Sequence, residues 1–180
     1  MRNLQVTLLF VVVVATGCAV YPTTRTYFEP NANDGKPSPS MSCGYHRAKN
    51  DSLSRETKDF YIQVTPFYNE SNDVHVSVHI RSERNNIAID PNLIALKDIH
   101  SGNLTYPSST KITRQKPRGN WPYYDNFVYL MYPIKSDSVE SISVMFMQQS
   151  ILINGNAKGI EQFRYNKTTK SDIYYGSINC

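Results

Sequence analysis

Between residues 74 and 80 the chain alternates without a break: Val74, Val76, Val78 and Ile80 fall on one side, His75, Ser77 and His79 on the other. A period of two belongs to an extended strand whose side chains point alternately to opposite faces. The segment therefore reads as a half-buried antiparallel strand with an aliphatic inner face and solvent-facing histidines. Residues 60–67 (Phe-Tyr-Ile-Gln-Val-Thr-Pro-Phe) read as a second strand. Pro66 restricts its far end to an edge, because proline has no N–H to give to a ladder. Residues 87–89, 93–99 and 104–106 follow, the last two joined through His100-Ser101-Gly102-Asn103 as a hairpin. Residues 111–114 are a weaker strand signal, and 126–134 and 139–147 are strong ones. Residues 151–153 turn at Asn154-Gly155-Asn156 towards 160–165, and 173–178 end the series.

No window carries a capped apolar stripe of helical period, and no internal repeat is present. About eight or nine short strands at intervals of roughly 8–12 residues predict an all-β fold. The expected architecture is an antiparallel β-sandwich of immunoglobulin-like type, with a closed barrel as the alternative. Residues 46–59 are polar and show no apolar face.

Before the strands lie two segments of different character. Residues 1–3 include Arg2, and residues 4–15 are apolar apart from Gln5 and Thr7. An apolar run of roughly 10–14 residues is too short to span a bilayer, which takes about 20. It suits the central region of a secretory signal, with a basic start and small residues at the cut. The run Ala15-Thr16-Gly17-Cys18 closes it. This resembles the lipobox of bacterial lipoprotein precursors, and in this the precursor resembles the lipoproteins of Gram-negative envelopes. The resemblance covers the first 18 residues. It implies cleavage before Cys18, a diacylglycerol on the Cys18 thiol and an acyl group on the new amino terminus. Several acyl chains anchor a protein that one cannot hold, since each buried CH₂ adds about 0.8 kcal/mol. Ala19, where an aspartate would signal retention in the inner membrane, implies the outer membrane, with the domain in the periplasm.

The expected organisation is a signal peptide at 1–17, a lipidated flexible tether at 18–42 and a β-sandwich at 43–180. The tether is expected because Pro22, Pro30, Pro37 and Pro39 stand among few large apolar residues, too few to offset the entropy of ordering. Tyr21, Tyr27 and Phe28 are the residues in it that could dock on the domain or lie at the membrane interface.

Three cysteines are present. With Cys18 assigned to lipid, Cys43 and Cys180 remain, and in an oxidising compartment they are expected to pair. Closing so long a loop would stabilise the fold by roughly 4–5 kcal/mol in the chain-entropy model. The alternative is a Cys43 nucleophile assisted by His46 in Cys-Gly-Tyr-His, which needs a free thiol in that compartment.

The formal charge is +4, and one positive charge, Arg2, leaves with the signal. The bases are scattered, with no stripe of the kind nucleic-acid binding requires. Lys111, Arg114, Lys116 and Arg118 form the densest group, and Pro117 and Gly119 place it in a loop, either simply solvated or touching lipid phosphate or glycan. His75 and His79 have a zinc spacing only on a helix. On a strand they lie about 13 Å apart, whereas zinc ligands sit about 2 Å from the metal. With His46 and His100 in loop-like sequence, no metal site and no cofactor are expected.

Neither a nucleophile elbow nor a phosphate-cradling glycine loop occurs, and no two acids are placed to work as a pair. A non-enzymatic envelope module is the expectation. Its one candidate contact surface is Asn120-Trp121-Pro122-Tyr123-Tyr124-Asp125, which holds the single tryptophan and three aromatics in four residues. Presented on a loop, Trp121, Tyr123 and Tyr124 would stack on sugar rings or anchor a protein partner. The structural alternative is that they plug an end of the sandwich. A hydrolase inhibitor is a further possibility, without a motif to support it.

Overall fold

The computed structural model describes residues 18–40, 45–46, 50–83 and 86–177. In chain order the strands are β1 (Cys18–Pro30), β2 (Lys36–Ser38), β3 (Tyr45–His46), β4 (Ser52–Glu56) and β5 (Tyr61–Phe67). They continue with β6 (Asp73–Ser82), β7 (Ile87–Ile89), β8 (Ile94–Asp98), β9 (Leu104–Thr105) and β10 (Ser109–Gln115). The last are β11 (Tyr124–Lys135), β12 (Ser141–Phe146), β13 (Ile151–Ile153), β14 (Asn156–Ala157) and β15 (Gln162–Ser177). The protein is an all-β antiparallel sandwich. One sheet runs β1-β15-β12-β8-β9, with β3 also against β15; the other runs β10-β11-β6-β5-β4-β2. A small third sheet, β14-β13-β7, adds Ile87, Ile89, Ile151 and Ile153 to the same core.

The alternation in β6 has the consequence expected of it. Val74, Val76, Val78 and Ile80 are buried against the facing sheet, together with Ile62 and Val64 of β5 and Val128 and Leu130 of β11. Ile94 and Leu96 of β8, Ile142 and Val144 of β12 and Phe163 of β15 meet them from the other side. Each such side chain contributes about 1.5–3 kcal/mol by leaving water. Two tyrosines bolt the sheets together. The Tyr132 hydroxyl of β11 donates to the Ile94 carbonyl at 2.8 Å, and that of Tyr165 in β15 donates to the Val64 carbonyl at 2.7 Å. Burial pushes both phenols far above their ordinary pKa.

The connectivity is not that of an immunoglobulin domain. There the chain crosses to the other sheet after its second strand, whereas here β4, β5 and β6 are consecutive neighbours in one sheet. Short polar turns between these strands, such as the Thr57 to Phe60 turn closed by a 2.9 Å backbone bond, let the chain double back at once. Pro66 is tolerated in an inner strand because pairing of β4 with β5 stops at Val64, so the proline lies where that side of β5 is already an edge.

The expected tether boundary also moves. Residues 18–42 were expected to be flexible, yet β1 pairs with β15 from Cys18↔Ser177 to Pro30↔Tyr165, and Phe28 is fully buried in the core. Behind it the carboxylate of Asp34 receives both Nε and Nη2 of Arg164 at 2.7 Å. The Arg164 guanidinium, with burial opposing it, holds the Asp34 carboxyl below the usual carboxylate range. Asp51 then takes Arg25 Nη2 at 2.5 Å and the Ser40 amide at 2.7 Å. The domain therefore starts before residue 43. Ladder hydrogen bonds and two aromatic anchors, Tyr27 and Phe28, order a segment whose composition alone is too polar to fold.

The same pairing explains why β15 is one strand of 16 residues where two were expected. Its middle, Lys167 to Ser171, has no apolar alternation, and beyond the Lys167 amide, which donates to the Glu140 carbonyl at 2.7 Å, its strand partner is β1. Residues 151–153 turn into the short β14 rather than towards 160–165, through Asn154 (φ 52°) and Gly155 (φ 76°), the conformation that favours Asn-Gly in a two-residue hairpin.

Candidate functional site

The outer face of the β5-β6-β11 region carries two cross-strand rows. Tyr61, Arg81 and Asp125 stand side by side in register, and next to them Gln63, His79 and Phe127. These residues come from three strands, and the pairing alone brings them together.

Asp125 is the centre. Its Oδ1 lies 2.6 Å from His79 Nε2 and accepts from Arg81 Nε at 3.0 Å; its Oδ2 accepts the Trp121 indole N–H at 2.8 Å. Burial alone would raise its pKa, but the hydrogen bonds from His79, Trp121 and Arg81 outweigh it and hold the carboxyl below its ordinary value. An ionised carboxylate only accepts, so His79 Nε2 carries the proton. The imidazole is 4% exposed and stacks on Phe127 with centroids 4.5 Å apart and planes 8° apart. Its Nδ1 is buried without a hydrogen-bond partner. Protonating it would bury an unpaired N–H. Desolvation accordingly lowers the His79 pKa, even though the Asp125 carboxylate pulls it upward.

Trp121 arrives from the other direction. Backbone bonds pair Arg118 with Trp121 (2.9 and 3.2 Å) across a tight turn in which Gly119 adopts φ +54°. That conformation costs glycine nothing and a side-chain-bearing residue about 1 kcal/mol or more. The turn lays the indole over Arg81, whose guanidinium carbon is 4.4 Å from the ring centroid, 5.5 Å from that of Tyr61 and 5.8 Å from that of Tyr123. Tyr123 packs edge-on against Trp121 at 5.1 Å. The result is a cation held among three aromatic rings and anchored by one carboxylate.

Tyr61, Arg81, Trp121 and Tyr123 form one wall of an open groove of about 600 Å³. Its other wall is the β4–β5 turn with Glu56, Lys58 and Asp59, and Glu83 follows β6 at the rim. Trp121 remains 43% exposed.

Of the sequence-based candidates, Trp121 and Tyr123 lie in this groove. Tyr124 is half-buried, pairs with Ser82 in β11 and does not line it. His75 and His100 are exposed. His79 was expected to face solvent; it lies on the predicted outer face but is buried, because Phe127, Tyr61 and Asp125 cover it. Among the described residues no group of three His, Cys, Asp or Glu is arranged to hold a metal ion. Cys18 begins β1, and Cys43 and Cys180 lie outside the described residues, as does the expected bridge between them. The His46 backbone pairs with Tyr174 in β3. Lys111 and Arg114 belong to strand β10 and not to a loop; Lys116 and Arg118 follow it.

Sequence reasoning missed Tyr61, Arg81, His79 and Asp125 as a unit. The available signal was weak: a histidine and an arginine two apart on the polar face of an alternating strand, and an aspartate beside the tryptophan loop. Fold and site together define a β-sandwich with an aromatic- and arginine-lined groove on one outer face. No family model, curated protein or solved structure matches the chain.

Proposed function

We propose that this protein is a lipid-anchored, non-enzymatic module of the cell envelope, and that the Trp121 groove binds a saccharide. The lipid anchor rests on the Ala15-Thr16-Gly17-Cys18 motif, with diacylglycerol and an acyl group on Cys18, the outer membrane as its location and the domain in the periplasm. The saccharide reading rests on one observation: an indole fixed at both its N–H and its face by Asp125 and Arg81, yet 43% exposed above a polar groove. A rigid aromatic platform suits the C–H face of a sugar ring, and charged groups at the rim suit its hydroxyls. Glu56, Lys58 and Glu83 supply those groups. Pre-organisation matters because every side chain immobilised on binding costs about 0.5–1.5 kcal/mol, and Trp121 is already fixed.

The non-enzymatic reading rests on the His79–Asp125 pair. A general base needs a lone pair within reach of a substrate proton. The lone pair of His79 is buried at Nδ1, with no hydroxyl bonded to it.

The test is retention of the wild type and of Trp121→Ala on peptidoglycan and on lipopolysaccharide, with soluble oligosaccharide as competitor. Loss of the platform is expected to weaken retention about tenfold, the equivalent of roughly 1.4 kcal/mol. Equal retention of both proteins, or none by the wild type, overturns the saccharide reading.

A further inference from the structure

We propose that β10, the open edge of the second sheet, takes up an extended acidic segment of a partner protein as an added strand. The proposal is independent of the saccharide groove. Edge strands offer unpaired N–H and C=O groups, and proteins usually blunt them with prolines, bulges, brevity or charged side chains, lysine above all. The opposite edge of the same sheet is so treated: β2 has three residues and contains Pro37. In the other sheet, β9 has two residues, and β1 contains Pro22 and ends on Pro30.

Of these devices β10 has only the charges, Lys111 and Arg114, which repel a second basic strand and leave the edge open to an acidic one. It is seven residues long, free of proline, unbroken in register against β11 from Ser109↔Met131 to Gln115↔Asp125, and exposed at every residue but Ile112. Thr110, Ile112 and Thr113 are strong strand formers.

Two further observations select the partner. Between Ile99 and Tyr124 the chain contains no Asp or Glu, while Lys111, Arg114, Lys116 and Arg118 lie on or just after β10. This edge repels a basic strand and attracts an acidic one. Beside it, on the outer face, is a cleft of about 250 Å³, mostly apolar, with Ser109 and Lys111 of β10 as one wall and Phe67, Tyr129 and Met131 beyond. Phe67 and Tyr129 are 39% and 47% exposed. An added strand would lie about 4.8 Å from β10 with alternate side chains on this face. One large apolar side chain of the partner would then reach the cleft. Ladder hydrogen bonds would supply affinity, and the cleft together with the basic residues would supply selectivity.

The probe is a fluorescent peptide of about eight residues, alternating valine and glutamate around a central phenylalanine, titrated into the full-length protein in detergent. The expected result is saturable binding, protection of amides 109–115 from hydrogen exchange, and weakening of about tenfold in the Lys111→Glu/Arg114→Glu variant. The same peptide N-methylated at alternate residues should not bind, which tests the ladder without altering the protein, and Trp121→Ala should bind normally. No binding, equal binding of a lysine-for-glutamate peptide or equal binding of the N-methylated peptide overturns the proposal. So does protection of 109–115 that appears with protein concentration alone, which would make a second copy the occupant.

Discussion

Replacing Asp125 by alanine removes the one acceptor shared by three donors, and the structure allows the cost to be worked out donor by donor. The His79 side chain is 5% exposed, its Nδ1 has no partner, and Nε2 would lose the only one it has. A buried donor left unsatisfied costs about 1–3 kcal/mol. The Arg81 side chain is 28% exposed and Trp121 more so, and both can turn to water. Their losses are therefore discounted to about 1 kcal/mol together. The sum, about 2–4 kcal/mol, corresponds to a fall in melting temperature of about 10 °C for a chain of this length. Asp125→Asn keeps one carbonyl acceptor and should lose about half as much. Urea unfolding followed by circular dichroism gives the global change. The fluorescence of the single tryptophan, which is Trp121 itself, reports the site directly. Unchanged midpoints with unchanged emission would refute the view that Asp125 organises this face.

Three further outcomes are expected. His79 binds its proton less readily in the folded state than in the unfolded chain, where the pKa is about 6.5. Stability should therefore fall as pH drops from about 7.5 through 6.5 towards the folded pKa, and His79→Gln should flatten that part of a pH-dependent urea series. An unchanged slope would exclude His79 as its source. Gly35→Ala would put a Cβ 2.8 Å from the Ser54 carbonyl oxygen, and the backbone shift needed should cost about 1–3 kcal/mol in the same unfolding assay. Cys18→Ser should abolish fatty-acid labelling and release the protein from membranes while leaving the urea midpoint unchanged; continued labelling would refute lipidation at that residue.

Where apolar residues alternate with polar or small ones, strands were legible in the sequence, because a period of two marks an extended chain with one face on the core. β5, β6, β8, β11 and β12 are of this kind. β2 and β4 were not legible. β4 reads Ser-Leu-Ser-Arg-Glu, and its serines are buried through hydrogen bonds such as Ser52 to Thr65 at 2.7 Å, a partner 13 residues away that no local pattern discloses. β1 was hidden for a related reason. Its Thr- and Pro-rich sequence is ordered by β15, more than a hundred residues downstream. The candidate site was legible at Trp121 and Tyr123, since clustered aromatics beside a proline stand out, and not at Tyr61, Arg81 and His79.

By itself the sequence determined the all-β class, the inner faces of the central strands and the motif at Cys18, because each depends on neighbours within a few positions. Only the tertiary structure decided which strands pair. That pairing set Tyr61, Arg81 and Asp125 in one row, buried an imidazole on a face whose alternation reads as solvent-exposed, and drew residues 18–38 into the sandwich. The physical reason is that a strand leaves half its hydrogen bonds and one whole face to be satisfied by segments distant in the chain, and their identity is a property of the assembled sheet.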